Sequence, residues 1–155
     1  MSRTLIAGFG NVLRGDDGFG VEVIRALEKR IANFPGVELM EVGTGGLRLA
    51  QELLTPCDFL IIADAMTRGG SPGSVYVLDI QSVERIQEVD MHVATPSRAL
   101  SVAQALGVLP PVVYIVGCEP EHVDDLVMEL SSGVRAAVDV AVERIESLLA
   151  AEVPS

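Results

Sequence analysis

Two neighbouring carboxylates, Asp16 and Asp17, stand near the end of a glycine-rich stretch, Gly8-Phe9-Gly10-Asn11-Val12-Leu13-Arg14-Gly15-Asp16-Asp17-Gly18-Phe19-Gly20. A β-prone run, a glycine turn and a helix start in this order invite a phosphate-binding reading, which the spacing tests. The dinucleotide pattern G-x-G-x-x-G begins on Gly8 and Gly10, but its third glycine falls on Leu13. The phosphate-loop spacing is met by Gly10 and Gly15, yet the position that must hold a lysine is Asp16. Carboxylates where a phosphate would sit repel it strongly at short range and low dielectric, so nucleotide binding is disfavoured. Acids just before a helix suit two other roles. They cap the helix and complement its dipole, or they bind a cation.

Asp64 closes the apolar run Phe59-Leu60-Ile61-Ile62-Ala63, where a buried strand emerges. Ligand sites of open parallel sheets gather at the carboxyl ends of the strands. Asp16 and Asp17 share that edge with Asp64 if their strands run parallel, and Gly43-Thr44 and Gly117-Cys118-Glu119 follow their own strands in the same way. His92, within Asp90-Met91-His92-Val93, reaches the edge from a loop. The other histidine, His122, lies in Glu119-Pro120-Glu121-His122, an acidic helix-start segment that reads as solvent-facing. Two aspartates and a histidine offer oxygen and nitrogen donors suited to a borderline divalent ion such as nickel or zinc. Three protein ligands leave coordination positions open. A cysteine nucleophile lacks support, because Cys57 and Cys118 lie in apolar surroundings that read as buried.

The elements that must position these groups alternate along the chain. Thr4 to Phe9, Val37 to Val42, Phe59 to Ala63, Ser74 to Ile80 and Val112 to Gly117 read as strands. Val21, Ile24, Leu27 and Ile31 stripe a helix over Phe19 to Ile31, and a short helix follows around Leu47 to Leu54. Thr95-Pro96 reads as an N-cap and first helical position, with a stop at Gly107. Val134, Val138, Ala141, Ile145 and Leu148 stripe a final long helix, and Gly69-Gly70-Ser71-Pro72-Gly73 reads as a turn. This order implies a three-layer α/β/α fold on a five-stranded, mainly parallel or mixed sheet, with residues 1–155 forming one domain.

Composition narrows the functional classes. The chain has 155 residues, 11 Lys and Arg against 22 Asp and Glu, and a formal net charge of -11. Such a field repels nucleic acid and anionic membrane surfaces. Glycine and charge follow the first residues too early for a signal-peptide core, and no apolar run reaches the ~18 residues of a membrane span. The expectation is a cytoplasmic protein without nucleic-acid or membrane partners, and nothing in the sequence asks for an obligate dimer.

The opening stretch, Gly43-Thr44, the strand ending Ala63-Asp64-Ala65 and Val116-Gly117-Cys118-Glu119-Pro120 together resemble the hydrogenase maturation proteases. These endopeptidases trim the C-terminal tail from the large-subunit precursor of nickel–iron hydrogenases. The resemblance implies that Asp17, Asp64 and His92 contact the metal, with Asp17 and Asp64 as catalytic candidates of unassigned role. Thr95 and His122 are the alternatives should His92 lie elsewhere. It implies weaker substrate-binding roles for Gly43 and Thr44. It further implies that no metal is tightly bound and that nickel arrives in the precursor, with zinc or cadmium able to substitute. The partner is then the hydrogenase large-subunit precursor, met by a monomer. A metallohydrolase holding its own zinc and a non-catalytic maturation chaperone are the competing readings.

Overall fold

The computed structural model describes residues 3–80, 94–121, 123 and 128–152. Five apolar segments pair into one sheet: β1 (Thr4–Phe9), β2 (Val37–Gly43), β3 (Phe59–Ala65), β4 (Val75–Asp79) and β5 (Val112–Cys118). Their spatial order is β2-β1-β3-β5-β4. The first four strands of that row are parallel, and β4 runs antiparallel along β5. The sheet is mixed and mostly parallel, as its alternating pattern predicts.

Helices α1 (Phe19–Glu28), α2 (Gly46–Glu52), α3 (Ala94–Ala105) and α4 (Ser132–Glu152) cover the two faces. Alternation along β3 sorts its side chains between them. Leu60 and Ile62 pack with Leu49 and Leu53 near α2 and with Leu100 and Ala103 of α3. Phe59, Ile61 and Ala63 pack instead with Phe19 and Ile24 of α1 and with Val138 and Ile145 of α4. All seven residues of β3 are buried, the condition of a strand covered on both sides. Burying one such Leu or Ile is worth roughly 1.5–3 kcal/mol, against about 0–1 for an exposed ion pair. The two apolar layers, and not the surface charges, therefore hold the architecture.

Glycine decides how α1 docks. A Cβ on Gly20 would stand 2.2 Å from the carbonyl oxygen of Ala63 and 2.3 Å from that of Phe9. The first turn of α1 thus rests directly on the ends of β1 and β3, and only a residue without a side chain permits that approach.

Several boundaries differ from the sequence reading. α1 stops at Glu28 instead of Ile31, which falls in a separate short 3-10 turn, Ile31–Asn33. β3 continues through Asp64 to Ala65, so the acid belongs to the strand. Thr95 is no N-cap: α3 begins at Ala94, and Pro96 is its third residue. Proline is tolerated there because first-turn N–H groups have no partner within the helix. Among the described residues no helix follows β5 before α4, which begins at Ser132. Among the described residues no helix is long and apolar enough to cross a membrane.

Candidate functional site

The chain leaves β1 through Gly10, whose φ is +125°. A Cβ there would fall 1.8 Å from the carbonyl oxygen of Asp17, so a side chain is excluded on both conformational and steric grounds. The loop then closes into a 3-10 turn, Gly15–Gly18, that carries both acids. Neither acid caps α1, whose N-cap is Gly18 with no side-chain hydrogen bond. That corrects the capping reading.

The two carboxylates diverge. Asp17 is half-buried, and its Oδ2 accepts the Asn11 N–H at 2.9 Å. Asn11 Oδ1 in turn accepts the Leu13 N–H at 2.9 Å, so the loop is braced from both ends. Asp16 is fully buried. It accepts the Ser131 N–H at 2.7 Å, the Glu121 N–H at 2.8 Å and the Ser131 hydroxyl at 2.9 Å. The first acid is a clamp between distant segments, and the second lines the loop.

Asp64 is 6 % exposed and sits opposite Gly117 in the β3–β5 register. By alternation it belongs to the face covered by α2 and α3. Because β1 and β3 are parallel neighbours, the Gly15–Gly18 turn and the Asp64 end of β3 share the carboxyl edge. The start of α3 lies at this edge too, since Arg98, Ala99 and Val102 line a hollow with Thr44 and Gly45. His92 and His122 lie outside the described residues. Among the described residues no three His, Cys, Asp or Glu side chains cluster as metal ligands. What they offer an incoming divalent ion is carboxylate oxygen, and a borderline ion would draw its nitrogen donor from elsewhere.

Glu119 follows its strand at the carboxyl edge as expected, but it does not face solvent as the segment Glu119 to His122 suggests: it is 4 % exposed. Its Oε1 accepts the Arg68 N–H at 2.8 Å, the Tyr76 hydroxyl at 2.8 Å and the Gly70 N–H at 2.9 Å. Burial by itself would raise its pKa, but these donors and the Gly69 N–H outweigh it and hold the carboxyl below its ordinary range. The signal was available: an acid directly after a buried strand, facing a Gly-rich turn whose N–H groups need acceptors.

The cysteines fit the inert reading. Both are free and buried. Burial, with Asp16 nearby, pushes the Cys118 thiol up to about 12, and burial raises Cys57 as well. Neither supplies a thiolate at neutral pH. Gly69-Gly70-Ser71-Pro72-Gly73 also carries the letters G-x-S-x-G, which the turn reading passes over. It leads into the antiparallel edge strand β4 and not into a helix, so it lacks the strand–turn–helix setting of a nucleophile elbow.

Beside the loop after β1 opens a cleft of about 450 Å³, lined by Gly10 to Leu13, Val21 and Arg25 of α1, the end of β2, and Thr44 and Arg48. Gly43 and Thr44 are thus cleft residues next to the loop that Asp17 braces.

Comparison with known proteins follows the same lines. The family model HycI, hydrogenase maturation protease, matches residues 21–148, a span that begins just after the opening glycine stretch. The hydrogenase expression/formation protein HoxM of Cupriavidus necator is 34 % identical over 145 residues, covering 92 % of this chain and 71 % of that protein. The hydrogenase maturating endopeptidase HybD of Escherichia coli superposes with a TM-score of 0.82 at 28 % identity, over 95 % of this chain and 91 % of that one. The NiFe hydrogenase maturation protease HybD of Thermococcus kodakarensis gives 0.80 at 29 % identity, over 95 % and 99 %. This chain belongs to the hydrogenase maturation protease family.

Proposed function

We propose that this hydrogenase maturation protease removes the C-terminal tail of a nickel-loaded hydrogenase large-subunit precursor, reading the bound nickel through Asp17, Asp64 and His92. The supporting observation is the convergence of two carboxylates on one sheet edge: Asp17 in the turn after β1 and Asp64 at the end of the parallel neighbour β3. An open cleft adjoins the loop that Asp17 braces, which gives a polypeptide access to that edge. Nickel belongs to the substrate in this reading, and the protein contributes its donors.

Cleavage requires a water to attack the scissile carbonyl and a proton to reach the leaving amine. Two routes are chemically consistent with carboxylates beside a metal. The ion of the precursor polarises the carbonyl as a Lewis acid, or one carboxylate takes the proton of the attacking water and passes it on. The chain acts in the reducing cytoplasm, as a monomer, and holds no tightly bound metal of its own.

Nickel-loaded and nickel-free precursors, incubated with the protein and read by intact mass, test the reading. The expected result is loss of the tail from the nickel-loaded form alone. Equal cleavage of both forms would remove nickel from recognition, and no cleavage of either would leave a binding role. Near-stoichiometric zinc in protein purified without added metal would favour a resident-metal hydrolase.

A further inference from the structure

The cleft beside the Gly10–Leu13 loop does not end at Thr44. A second hollow, of about 340 Å³, shares Thr44 with it and continues past Leu47 to Arg98 and Val102 of α3. Each falls within the size range of ligand pockets, about 300–1,000 Å³. Together they form a furrow along the β2 end of the carboxyl edge, running up to Asn11, whose N–H Asp17 holds.

Its lining differs from the rest of the surface in two ways. Leu13 is 49 % exposed and Leu47 63 %, so large apolar side chains stand in water on its rim. Arg25, Arg48 and Arg98 line it, against a single acid, Glu41. In a chain of net charge -11 that is a local reversal of sign. The arginines are also arranged differently from one another. Arg25 is paired with Glu22 at 3.0 Å and Glu41 at 3.4 Å. Arg48 donates to the neutral carbonyl oxygen of Glu41 at 3.0 Å, a bond that orients the guanidinium without cancelling its charge. Arg98 is exposed on α3.

We propose that this furrow binds the C-terminal segment of the precursor as an extended peptide. A carboxylate of the peptide meets Arg48 and Arg98, and an apolar side chain lies against Leu13 and Leu47. The proposal rests on the proteolytic reading for the identity of its occupant and adds the chemistry of the segment recognised. Charge complementarity selects the carboxylate, since planar guanidinium groups recognise carboxylates with paired hydrogen bonds. The continuity of the furrow with the Asp17-braced loop selects a chain that threads toward the candidate acids. The carboxylate comes from an Asp or Glu side chain or from the chain end, and the two sources are separable.

Fluorescence anisotropy with a dye-labelled synthetic peptide, matching the last twenty or so residues of the organism's own large-subunit precursor, tests the furrow with the full chain and without nickel. Binding is expected to weaken at least about ten-fold in the double variant Leu47→Asp, Arg98→Glu and to decline with added salt. Arg135→Glu, on an exposed part of α4, is expected to bind as the unaltered protein does. Loss of binding on amidating the peptide assigns the chain-end carboxylate; loss on replacing its Asp and Glu by Asn and Gln assigns the side chains. Unchanged affinity of the double variant, with its melting temperature retained, overturns the proposal. So does absence of peptide binding, or a fall in mass by sedimentation in the double variant, which would make the furrow a contact between two copies. If the peptide binds through the furrow but the nickel-loaded precursor is not cut, the proteolytic reading fails alone. If the precursor is cut and the double variant cuts it with unchanged KM, the furrow fails alone.

Discussion

On the β5–β4 side of the carboxyl edge, acids are buried and saturated. Glu119 gathers Arg68, Gly70 and Tyr76, and Asp16 gathers Glu121 and Ser131. On the β2 side the same edge presents the reverse. Leu13 and Leu47 stand exposed, the arginines are held by surface pairs or face solvent, and the hollows are open. The candidate acids Asp17 and Asp64 lie between the two flanks, in the turn after β1 and at the end of its neighbour β3. One flank spends its polar groups on rigidity, the other leaves them available to a ligand. Sites are commonly built this way, with a movable or receptive surface held against a fixed scaffold.

The division makes graded predictions. The largest effect is expected at the boundary, where Asp17→Asn should lower tail removal from a nickel-loaded precursor by about a thousand-fold, within the range of general acid–base contributions. Asn still accepts the Asn11 N–H, so the melting temperature should stay within a few degrees. Normal processing by this variant, read by intact mass, would return Asp17 to a purely structural role.

Next comes the saturated flank. Asp16→Asn places an NH2 group among donors and removes a buried charge-assisted acceptor, at a cost of about 2–4 kcal/mol in urea unfolding. A loss below about 0.5 kcal/mol would break the comparison.

Glu119→Gln should be smaller, about 1–2 kcal/mol, since one oxygen remains to accept part of the network. Its pH behaviour sharpens the test. The folded carboxyl lies below its ordinary value, so its stabilisation is fully present above the unfolded pKa of about 4.3 and is lost as pH falls through the lower folded value. Unfolding midpoints followed from pH 6 toward about 3 should therefore fall less steeply in the glutamine variant.

The smallest effect belongs to the receptive flank. Arg25→Gln removes two exposed pairs, with Glu22 and Glu41, and should change stability by less than about 1 kcal/mol. A larger loss would show that the open flank is load-carrying after all.

How much of this was legible beforehand depends on the range of the interaction involved. The strands and helix stripes are local patterns, and among the described residues the five strands and four helices fall close to the segments read from them. The direction of β4 was not legible, because alternation is the same in either sense and only pairing with β5 sets it. The end of α1 was missed because Glu28-Lys29-Arg30 offers no glycine or proline stop. The division of labour between Asp16 and Asp17 could not be read from two adjacent identical letters. It depends on partners 105 and 115 residues away along the chain. Asp64 was recognised from the apolar run that precedes it, while the histidine transfer to His92 falls outside the described residues.

That long reach of Asp16 has a consequence in time. Ser131 is made 115 residues after the acid it binds. At roughly 5–20 residues per second, synthesis leaves the turn waiting on the order of ten seconds for its partner. Strands β1 to β3 and their crossover helices are complete well before then, so the scaffold of the edge can form on the ribosome while its clamp is still unmade. A nascent chain of this protein is thus expected to gain protease resistance in β1 and β3 first. Only on release of the last helix does it lock the turn that carries both acids.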